Sequence, residues 1–451
     1  MTDRTERAPS AFRLNLEQQK NRAKDLLHAV KAGDAEALSR FIAVRRSSVT
    51  PDSPTLHATV KLADAQFVIA RELRFPSWAK LKAHIESMDR ERAAIDQKKP
   101  APDADLKTLH IRCGHDLQNA IKEAGFVGDF WPYVTPYCVG PVRPGPEGRE
   151  LMARFIVESF FEEKGDDVVA GQVEGLRNNE ERLHRTADDY ERVVIWKEQD
   201  NWCQTVLTRL LAHYASAKRP RVLELIALDE FPGGEPFTGL PQLPVEALRL
   251  IWSRRKPVTS AQLALGNDAW NALSSKDPRQ LAAIARSGTP ALPIMAPALL
   301  RLLRELPAVQ NGLRLTEQLI LQLVSEGPAE GLRVWGDVWW RLKDRDPLPW
   351  VTGGLFLQIV KEMLAGTGPL LNFTRIPPLP EQTTVLFPNQ LEGDCAQLLS
   401  LTELGRAVLQ GERDWHPLRH ASYWVGGVHV QPGLPGWRWD ESKRDPVFRE
   451  A

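Results

Sequence analysis

Two strand–helix–strand segments constrain the fold of this chain more than any other feature of its sequence. The first, between residues 109 and 134, places an apolar run, a helix with one apolar face and a second extended run in that order. The first strand is predicted at Leu109–Arg112, and Asp116 is the predicted N-cap of a helix over Leu117–Ala124. Gly125 ends that helix, and the second strand is predicted at Asp129–Val134. A segment of this kind, within about 30 residues, usually pairs its two strands in parallel.

The same order recurs between residues 192 and 227. Arg192–Trp196 is a strand, a polar turn supplies Asp200 or Asn201 as an N-cap, and Trp202–Ala215 is a helix. Arg221–Ala227 is the next strand. Two such segments predict a small open parallel α/β sheet, in which ligands bind at the carboxyl ends of the strands, where the strand order reverses. We therefore expect the loops over 113–116 and 197–202 to form the wall of a pocket.

The rest of the chain divides by composition into flanking regions, and its 451 residues suffice for about three domains. The predicted boundaries are a tail (1–15), a helical unit (16–89), a charged linker (90–105), the α/β domain (106–238), a mostly helical, winged-helix-like region (239–440) and a tail (441–451). The fold class is therefore multidomain α/β.

The N-terminal helical unit resembles ankyrin-like segments. The resemblance is carried by AVKAGDAEALSRF and LADAQFVIARELRFPSWAKLKAHIE, with a degraded repeat signature at Ser53–His57. Asp34 and Ser77 are the predicted helix caps. Because fewer than three repeats cannot bury a solenoid core, this unit is expected to pack on the next domain or on a protein partner.

The C-terminal region is predicted to be helical and then extended. Helices are expected at Pro244–Trp252, Ser260–Ala272, Pro278–Ala285, Ala291–Leu306, Thr316–Ser325, Leu355–Leu364 and Thr402–Leu409. Short strands are expected at Gly368–Thr374 and Thr384–Pro388, and extended pieces at Tyr423–Val430 and Gly436–Trp439 around a Pro-Gly turn. The helix that would read DNA, Leu355–Leu364, carries only Lys361 as a base, so nucleic-acid binding is disfavoured.

Net charge is zero overall but uneven along the chain. Residues 1–95 hold 17 Lys+Arg against 12 Asp+Glu, net +5, residues 101–240 hold 16 against 24, net −8, and residues 241–451 hold 23 against 21, net +2. The acidic centre argues against nucleic acid lying across it, although one helix N-terminus can still bind a single phosphate. No apolar run approaches the ~18 residues of a membrane span, and no signal peptide is recognisable. Four widely spaced cysteines do not predict a disulfide framework, so a cytoplasmic protein is expected.

Several blocks together resemble a bacterial family catalogued as domain-of-unknown-function family 1835. They are Leu109–Val142, Val193–Asp229, Asn311–Glu317, Leu401–Arg406, Trp424–His429 and Trp437–Asp440. The family commonly carries Gly-Asp-Ser after its first strand, where this chain has Gly114-His115-Asp116. The resemblance covers roughly residues 106–440 and implies a bacterial protein, but the family supplies no activity to carry over.

Candidate chemistry concentrates at the two predicted strand ends. His115, with Asp116 or Glu198, is the candidate catalytic set for general acid–base chemistry. The candidate ligand-binding residues are Cys113, Gly114, Tyr137, Asp200, Asn201 and Trp202. No paired ligand spacing predicts a metal, and the Gly-rich phosphate motifs and the Gly-x-Ser-x-Gly elbow are absent. The cofactor, if one is used, is unknown from the sequence.

Three functions remain open on the sequence alone. The first is a ligand-responsive interaction or regulatory protein whose α/β domain binds a small phosphate- or nucleotide-like molecule and whose helical units contact a partner. The second is a hydrolase or transferase using His115 with Asp116 or Glu198. The third is a transcription regulator acting through the winged-helix-like region.

Overall fold

The computed structural model describes residues 10–44, 59–161, 163–376, 384–390 and 396–450. The fold is mixed α/β, about half helical, with one larger sheet and several small ones. Two compact units are present. The first comprises Met1–His110, Gly114–Pro132 and Glu224–Lys256, and the second comprises Ile111–Cys113, Tyr133–Leu223 and Pro257–Ala451. The Ser53–His57 signature lies outside the described residues.

The N-terminal helices form with the caps that the sequence predicts. They are α1 (Leu16–Lys31), α2 (Ala35–Val44), α3 (Leu62–Glu72) and α4 (Trp78–Asp96). Asp34 accepts a hydrogen bond from the Ala37 amide at 2.8 Å, and Ser77 accepts one from the Lys80 amide at 3.3 Å. The apolar faces of these helices share one hydrophobic core, which explains why short helices are stable here.

The predicted linker over 90–105 is wrong in its first half, because α4 continues through Asp96. Arg92 donates to the fully buried Glu246 carboxylate at 2.9 Å, and Arg13 donates to the same carboxylate at 2.8 Å. Later in this stretch, the buried Asp103 carboxylate accepts from the Gly128 amide at 2.7 Å. These charges are anchored within the first unit, whereas composition alone suggested a solvated linker.

The larger sheet is parallel-rich and has the strand order β2-β1-β3-β4-β5. Its strands are β1 (Thr108–Arg112), β2 (Asp129–Pro132), β3 (Arg192–Glu198), β4 (Val222–Leu228) and β5 (Lys256–Pro257). Every residue of β1 and β3 is buried, including polar ones such as His110 and Lys197, as expected of strands inside a sheet covered on both faces. The chain adds β2 on one side of β1 and β3 on the other, so the strand order reverses between β1 and β3.

The helices that connect these strands are α5 (Gln118–Glu123), α6 (Gly145–Phe160), α7 (Asp166–Asp189) and α8 (Asn201–Ser216). Gly125 follows α5 at φ +82°, the left-handed conformation predicted for a terminating glycine. Helix α8 packs along a helix of the C-terminal region at Gly266, where a Cβ would lie 2.2 Å from the Cβ of Leu211. The two helices therefore approach closely.

The C-terminal region contains the predicted helices to within a few residues at each end. The helices of this region are α9 (Val245–Trp252), α10 (Ser260–Leu273), α11 (Arg279–Arg286), α12 (Met295–Leu303), α13 (Leu315–Ser325), α14 (Trp340–Arg345), α15 (Gly353–Leu364) and α16 (Glu403–Leu409). Of these, α14 was not predicted. Thr402 caps α16, as predicted, by accepting from the Gly405 amide at 2.8 Å. A π-helical turn at Val334–Trp339 precedes α14.

The small sheets differ from the predicted ones. An antiparallel sheet of order β6-β8-β7 joins Leu332–Arg333, Ala396–Leu401 and Leu371–Ile376. Residues 384–388 are not a strand, and β8 was not predicted. Two hairpins follow, β9 (Tyr423–Val425) with β10 (Val428–Val430) and β11 (Gly436–Asp440) with β12 (Asp445–Arg449). The expected tail over 441–451 is thus largely paired. Within the described residues, no helix is both long and apolar enough to cross a membrane.

Candidate functional site

The carboxyl ends of β1 and β3 meet, as the sequence predicts for adjacent parallel strands. Arg112, the last residue of β1, donates from Nη2 to Oε1 of Glu198, the last residue of β3, at 2.6 Å. Both side chains are buried. The next residue, Cys113, forms a disulfide with Cys203, with 5.6 Å between the two Cα atoms. Since the sequence favoured free cysteines, this bond is a correction: the fold brings together thiols that lie 90 residues apart.

These side chains, with Asp200, form what we call the strand-end cluster: Arg112, Cys113, Glu198, Asp200 and Cys203. Asp200 is the predicted N-cap of α8, and its carboxylate accepts from the Cys203 amide at 3.0 Å. Burial raises the pKa of Asp200, while the Cys203 amide and the charges of Arg112 and Lys197 act in the opposite direction. The side chains of the cluster are therefore bonded to one another through an ion pair, a disulfide and a helix cap.

Asn201 and Trp202 follow the cap and were both predicted to bind ligand. Asn201 is fully buried, and neither its amide oxygen nor its amide nitrogen has a hydrogen-bond partner within the described chain. The Trp202 indole nitrogen is likewise buried without a partner in this part of the structure. Their ligand-binding role stays a prediction.

The segment Gly114–Asp116 belongs to the first unit, whereas Glu198 belongs to the second. His115 is exposed, and its Nδ1 lies 3.4 Å from Oε1 of Gln118. Asp116 accepts from the amide of its immediate neighbour Leu117 at 3.1 Å. Leu117 itself is the N-cap residue of α5, so the predicted capping role of Asp116 is wrong. A cap must reach an amide two or three residues further on.

The strand-end cluster also groups three atoms that resemble metal ligands. One atom each from Glu198, Asp200 and Cys203 lies within 4.8 Å of the others. However, Nη1 of Arg112 donates to Sγ of Cys203 at 2.9 Å, and Nη2 of the same residue binds Glu198. The guanidinium already supplies the positive charge that a cation would bring. The geometry therefore favours an arginine-centred cluster over a metal centre.

A separate cavity of about 370 Å³ lies within the second unit, between the segment 133–144 and helices α6, α7, α8 and α10. We call it the arginine pocket. Its lining residues are Tyr133, Thr135, Tyr137, Pro141, Val142, Arg143, Pro144, Gly145, Gly148, Arg149, Met152, Leu176, Asn179, Glu180, His184, Arg209, Ala212, His213, Ser216, Asn267 and Trp270. The volume falls in the ~300–1,000 Å³ range of small-molecule sites.

One wall of the arginine pocket is aromatic. The hydroxyl groups of Tyr133 and Tyr137 lie 3.1 Å apart, and the Tyr137 ring packs edge-on against Trp270 with 4.9 Å between ring centroids. Tyr133 is held in place because its amide donates to the Arg112 carbonyl at 2.7 Å, just beyond β1. Burial raises the pKa of Tyr133, so its hydroxyl stays protonated.

Three guanidinium groups line the same pocket. Arg149 forms an ion pair with Glu180 at 2.6 Å, but Arg143 and Arg209 have no ion-pair partner within 4.0 Å in the described part of the chain. Arg209 lies over the Trp270 ring, 5.6 Å from its centroid, and Arg143 lies 5.5 Å from that of Trp424. With one carboxylate against three arginines, the lining carries a net charge of +2.

The N-terminus of α6 forms part of the pocket edge. Gly145 begins the helix at φ +79°, and a Cβ on Gly148 would lie 2.1 Å from the carbonyl oxygen of Arg143. The absence of a side chain at Gly148 allows the Arg143 backbone to fold tightly over the first turn. Helix N-termini carry unpaired amides and a partial positive charge, which attract anions.

His213 adds a different kind of group to the pocket. It is 5% exposed, and its Nε2 has no hydrogen-bond partner among the described residues. Burial, chiefly, together with the Arg209 charge, lowers the pKa of His213 to about 4. The Leu183 carbonyl interacts with this ring. A neutral imidazole that donates to that carbonyl through its other nitrogen presents Nε2 as an acceptor, suited to a hydroxyl or amine.

A second cavity in the same unit, of about 210 Å³, has the opposite balance of charge. Its lining includes Arg154 and Arg314 against Glu158, Glu305 and Glu362. This comparison sets the arginine pocket apart, because it holds an excess of cations within a stretch of chain that is acidic overall. Anionic ligands therefore fit the arginine pocket better.

Of the predicted site residues, Tyr137 alone lines the arginine pocket. Sequence reasoning missed Arg143, Arg149, Arg209 and His213. One local signal was available: a Pro/Gly-rich helix start, Pro144–Gly148, lies between two arginines. The other two side chains come from α8, and nothing in their immediate sequence marks them.

The comparisons with known proteins yield no assignment. No family model matches the chain, and no curated protein matches it.

Proposed function

We propose that this protein binds a small phosphate-bearing ligand of nucleotide type in the arginine pocket. One observation carries the proposal: Arg143 and Arg209 line a cavity with no carboxylate partner within 4.0 Å in the described residues. Half-buried guanidinium groups normally pair with carboxylates, and an acidic stretch of chain offers many. Arg209 interacts with the Tyr137 side chain and at longer range with Glu180, but neither places a carboxylate in ion-pair contact with it, and such a charge at a cavity wall favours an anionic ligand.

The other groups in the pocket fit the rest of such a ligand. The α6 N-terminus and the guanidinium groups suit a phosphate, and Tyr137 with Trp270 provides an aromatic wall for a flat ring. His213 would accept from a ribose hydroxyl or an exocyclic amine. This proposal moves the ligand away from the predicted strand-end loops, because the strand-end cluster is occupied by its own ion pair and disulfide.

The two alternative functions have less support. An enzyme using Glu198 as a base would have to free that carboxylate from the Arg112 guanidinium. A transcription regulator would need a reading helix with several basic side chains, but α15 has only Lys361 as a base, and six of its twelve residues are buried. The prediction that the helical units contact a protein partner and regulate it remains part of the proposal.

The test is calorimetric titration of the full chain with AMP, adenosine and inorganic phosphate. We expect AMP to bind more tightly than adenosine, since only AMP offers the anion. Arg209→Met should weaken AMP binding by about tenfold or more, the loss expected for one hydrogen bond to a charged group, about 1.5–3 kcal/mol. Arg209→Lys should retain part of the affinity.

The matched control is Arg177→Gln, which removes an exposed arginine from α7 whose partner, Glu174, lies on the same helix. It should leave AMP binding unchanged. Equal affinity for AMP and adenosine would refute the anion site. If Arg177→Gln and Arg209→Met weaken AMP binding equally, the weakening reflects the loss of one positive charge from the protein and not the loss of a contact in the pocket. If none of the three probes binds, the ligand is not of nucleotide type.

A further inference from the structure

The two sulfurs of the strand-end cluster lie in different surroundings. Cys203 is fully buried at the third residue of α8, whereas Cys113, directly after β1, is half-buried. Cys113 is therefore the more accessible of the two residues to an external thiol. The remaining free cysteine among the described residues, Cys138, is buried, and its burial raises the pKa of that thiol.

The surroundings of Cys203 suit a leaving thiolate. Nη1 of Arg112 donates to its sulfur at 2.9 Å, and the first turn of a 16-residue helix adds its partial positive charge. Two carboxylates, Glu198 and Asp200, and the buried Lys197 are also near. Glu198 is neutralised by Arg112 itself, so the group in direct contact with the sulfur is a cation. Such contacts stabilise a thiolate over a thiol.

We propose that Cys113 and Cys203 form a reversible thiol–disulfide exchange site for low-molecular-weight thiols, independent of the ligand in the arginine pocket. An external thiolate attacks Sγ of Cys113. The bond between Cys113 and Cys203 breaks, a mixed disulfide forms on Cys113, and the electron pair leaves on Cys203, whose thiolate stays bound to Arg112.

A second external thiolate completes the exchange. It attacks the outer sulfur of the mixed disulfide, releases Cys113 as a thiolate that takes a proton from water, and leaves as the external disulfide. The protein pair gains two electrons, and two external thiols become one external disulfide. The reverse sequence reoxidises the pair, so the ratio of external thiol to disulfide sets its state.

The first test uses the unaltered full chain. The protein is equilibrated with mixtures of reduced and oxidised glutathione, quenched by alkylation, and the modification of each cysteine is measured by mass spectrometry. We expect Cys113 and Cys203 to pass together, reversibly, from oxidised to reduced as the ratio changes, while Cys138 stays unmodified in the native protein. A pair that is reduced only after unfolding in urea would overturn the proposal.

Variants test the roles of the two sulfurs and of Arg112. Cys203→Ser should trap glutathione on Cys113, and Cys113→Ser should leave Cys203 unmodified in the native state. The opposite pattern would contradict the assignment. Arg112→Met should slow reduction by about tenfold or more, and Arg112→Lys should recover most of the rate. Because Arg112→Met also removes the cation that the buried Glu198 binds, the double variant Arg112→Met/Glu198→Gln is also measured. If that double variant reacts at the unaltered rate, Arg112 has no role in the exchange.

Discussion

Replacing Glu317 by Gln should destabilise the C-terminal part of the second unit. Glu317 is fully buried and accepts from Arg314 Nε at 2.8 Å and from both Nη atoms of Arg419, at 2.7 and 2.6 Å. The Arg419 guanidinium is also buried, 4.3 Å from the ring centroid of Trp415. Gln keeps the shape of the side chain but removes the charge that compensates two buried cations.

The size of the effect follows from two independent estimates. Removing one partner of a buried ion pair costs about 3–5 kcal/mol. Burial alone would raise the pKa of Glu317, but Arg314 and Arg419 lower it to about 2, from an ordinary 4.5. At about 1.36 kcal/mol for each pKa unit, that difference corresponds to about 3 kcal/mol. Both estimates predict a loss of about 3 kcal/mol, a factor of over a hundred in an opening equilibrium.

Hydrogen–deuterium exchange measured by mass spectrometry can localise this loss to peptides covering α13. In Glu317→Gln, exchange under native conditions should accelerate by about a hundredfold in Leu315–Ser325, because opening of this helix becomes easier. The matched control is Glu326→Gln, which removes a fully exposed carboxylate paired with Arg345 just after the same helix. It should leave the exchange of α13 unchanged. If both variants exchange like the unaltered protein, the buried ion pair does not stabilise this region and the reasoning fails.

Two further predictions concern the arginine pocket. The pKa of His213 is about 4 in the folded protein against 6.5 in the unfolded chain, so the unfolded chain binds more protons between these pH values. The folded protein therefore loses stability as the pH drops from 6.5 to 4. His213→Gln should remove this contribution, so the thermal midpoint of the variant should fall less steeply with pH over that range than the midpoint of the unaltered protein. Gly148→Ala should displace the Arg143 backbone and weaken AMP binding. The control is Gly171→Ala on α7, where an added Cβ meets nothing within 4 Å and AMP binding should not change. Calorimetry on both variants separates an effect on the pocket from a general effect of adding a methyl group.

The sequence predicts the elements whose signals are local. Buried strands β1 and β3 contain short apolar-rich runs. Helix caps form as predicted at four positions, Asp34, Ser77, Asp200 and Thr402. Strand β8 was missed because its alternating burial depends on pairing with β7, which lies across a long connection. Pairing of this kind is decided by tertiary context rather than by propensity.

The strand-end cluster illustrates the same limit at a site. The sequence predicts that the ends of β1 and β3 lie close together, because the carboxyl ends of adjacent parallel strands must meet, and Arg112 and Glu198 do meet there. It did not predict the contents, because Arg112 looks like any strand residue, and the Cys113–Cys203 bond joins thiols 90 residues apart. Disulfide connectivity cannot be deduced from spacing alone. The arginine pocket was missed for a similar reason, since its cations come from α6, α8 and the segment before α6.

The pairing of each arginine separates structural from ligand-binding roles in this protein. Arg112 and Arg419 are buried and bound to carboxylates, so replacing either one removes a cation from a buried acid and should affect stability first. Arg143 and Arg209 face a cavity with no carboxylate within ion-pair distance among the described residues, so replacing them breaks no ion pair. Their substitution should affect ligand affinity while leaving the fold intact. Arginine is frequent in this chain, and its partner, rather than its identity, indicates what each one does.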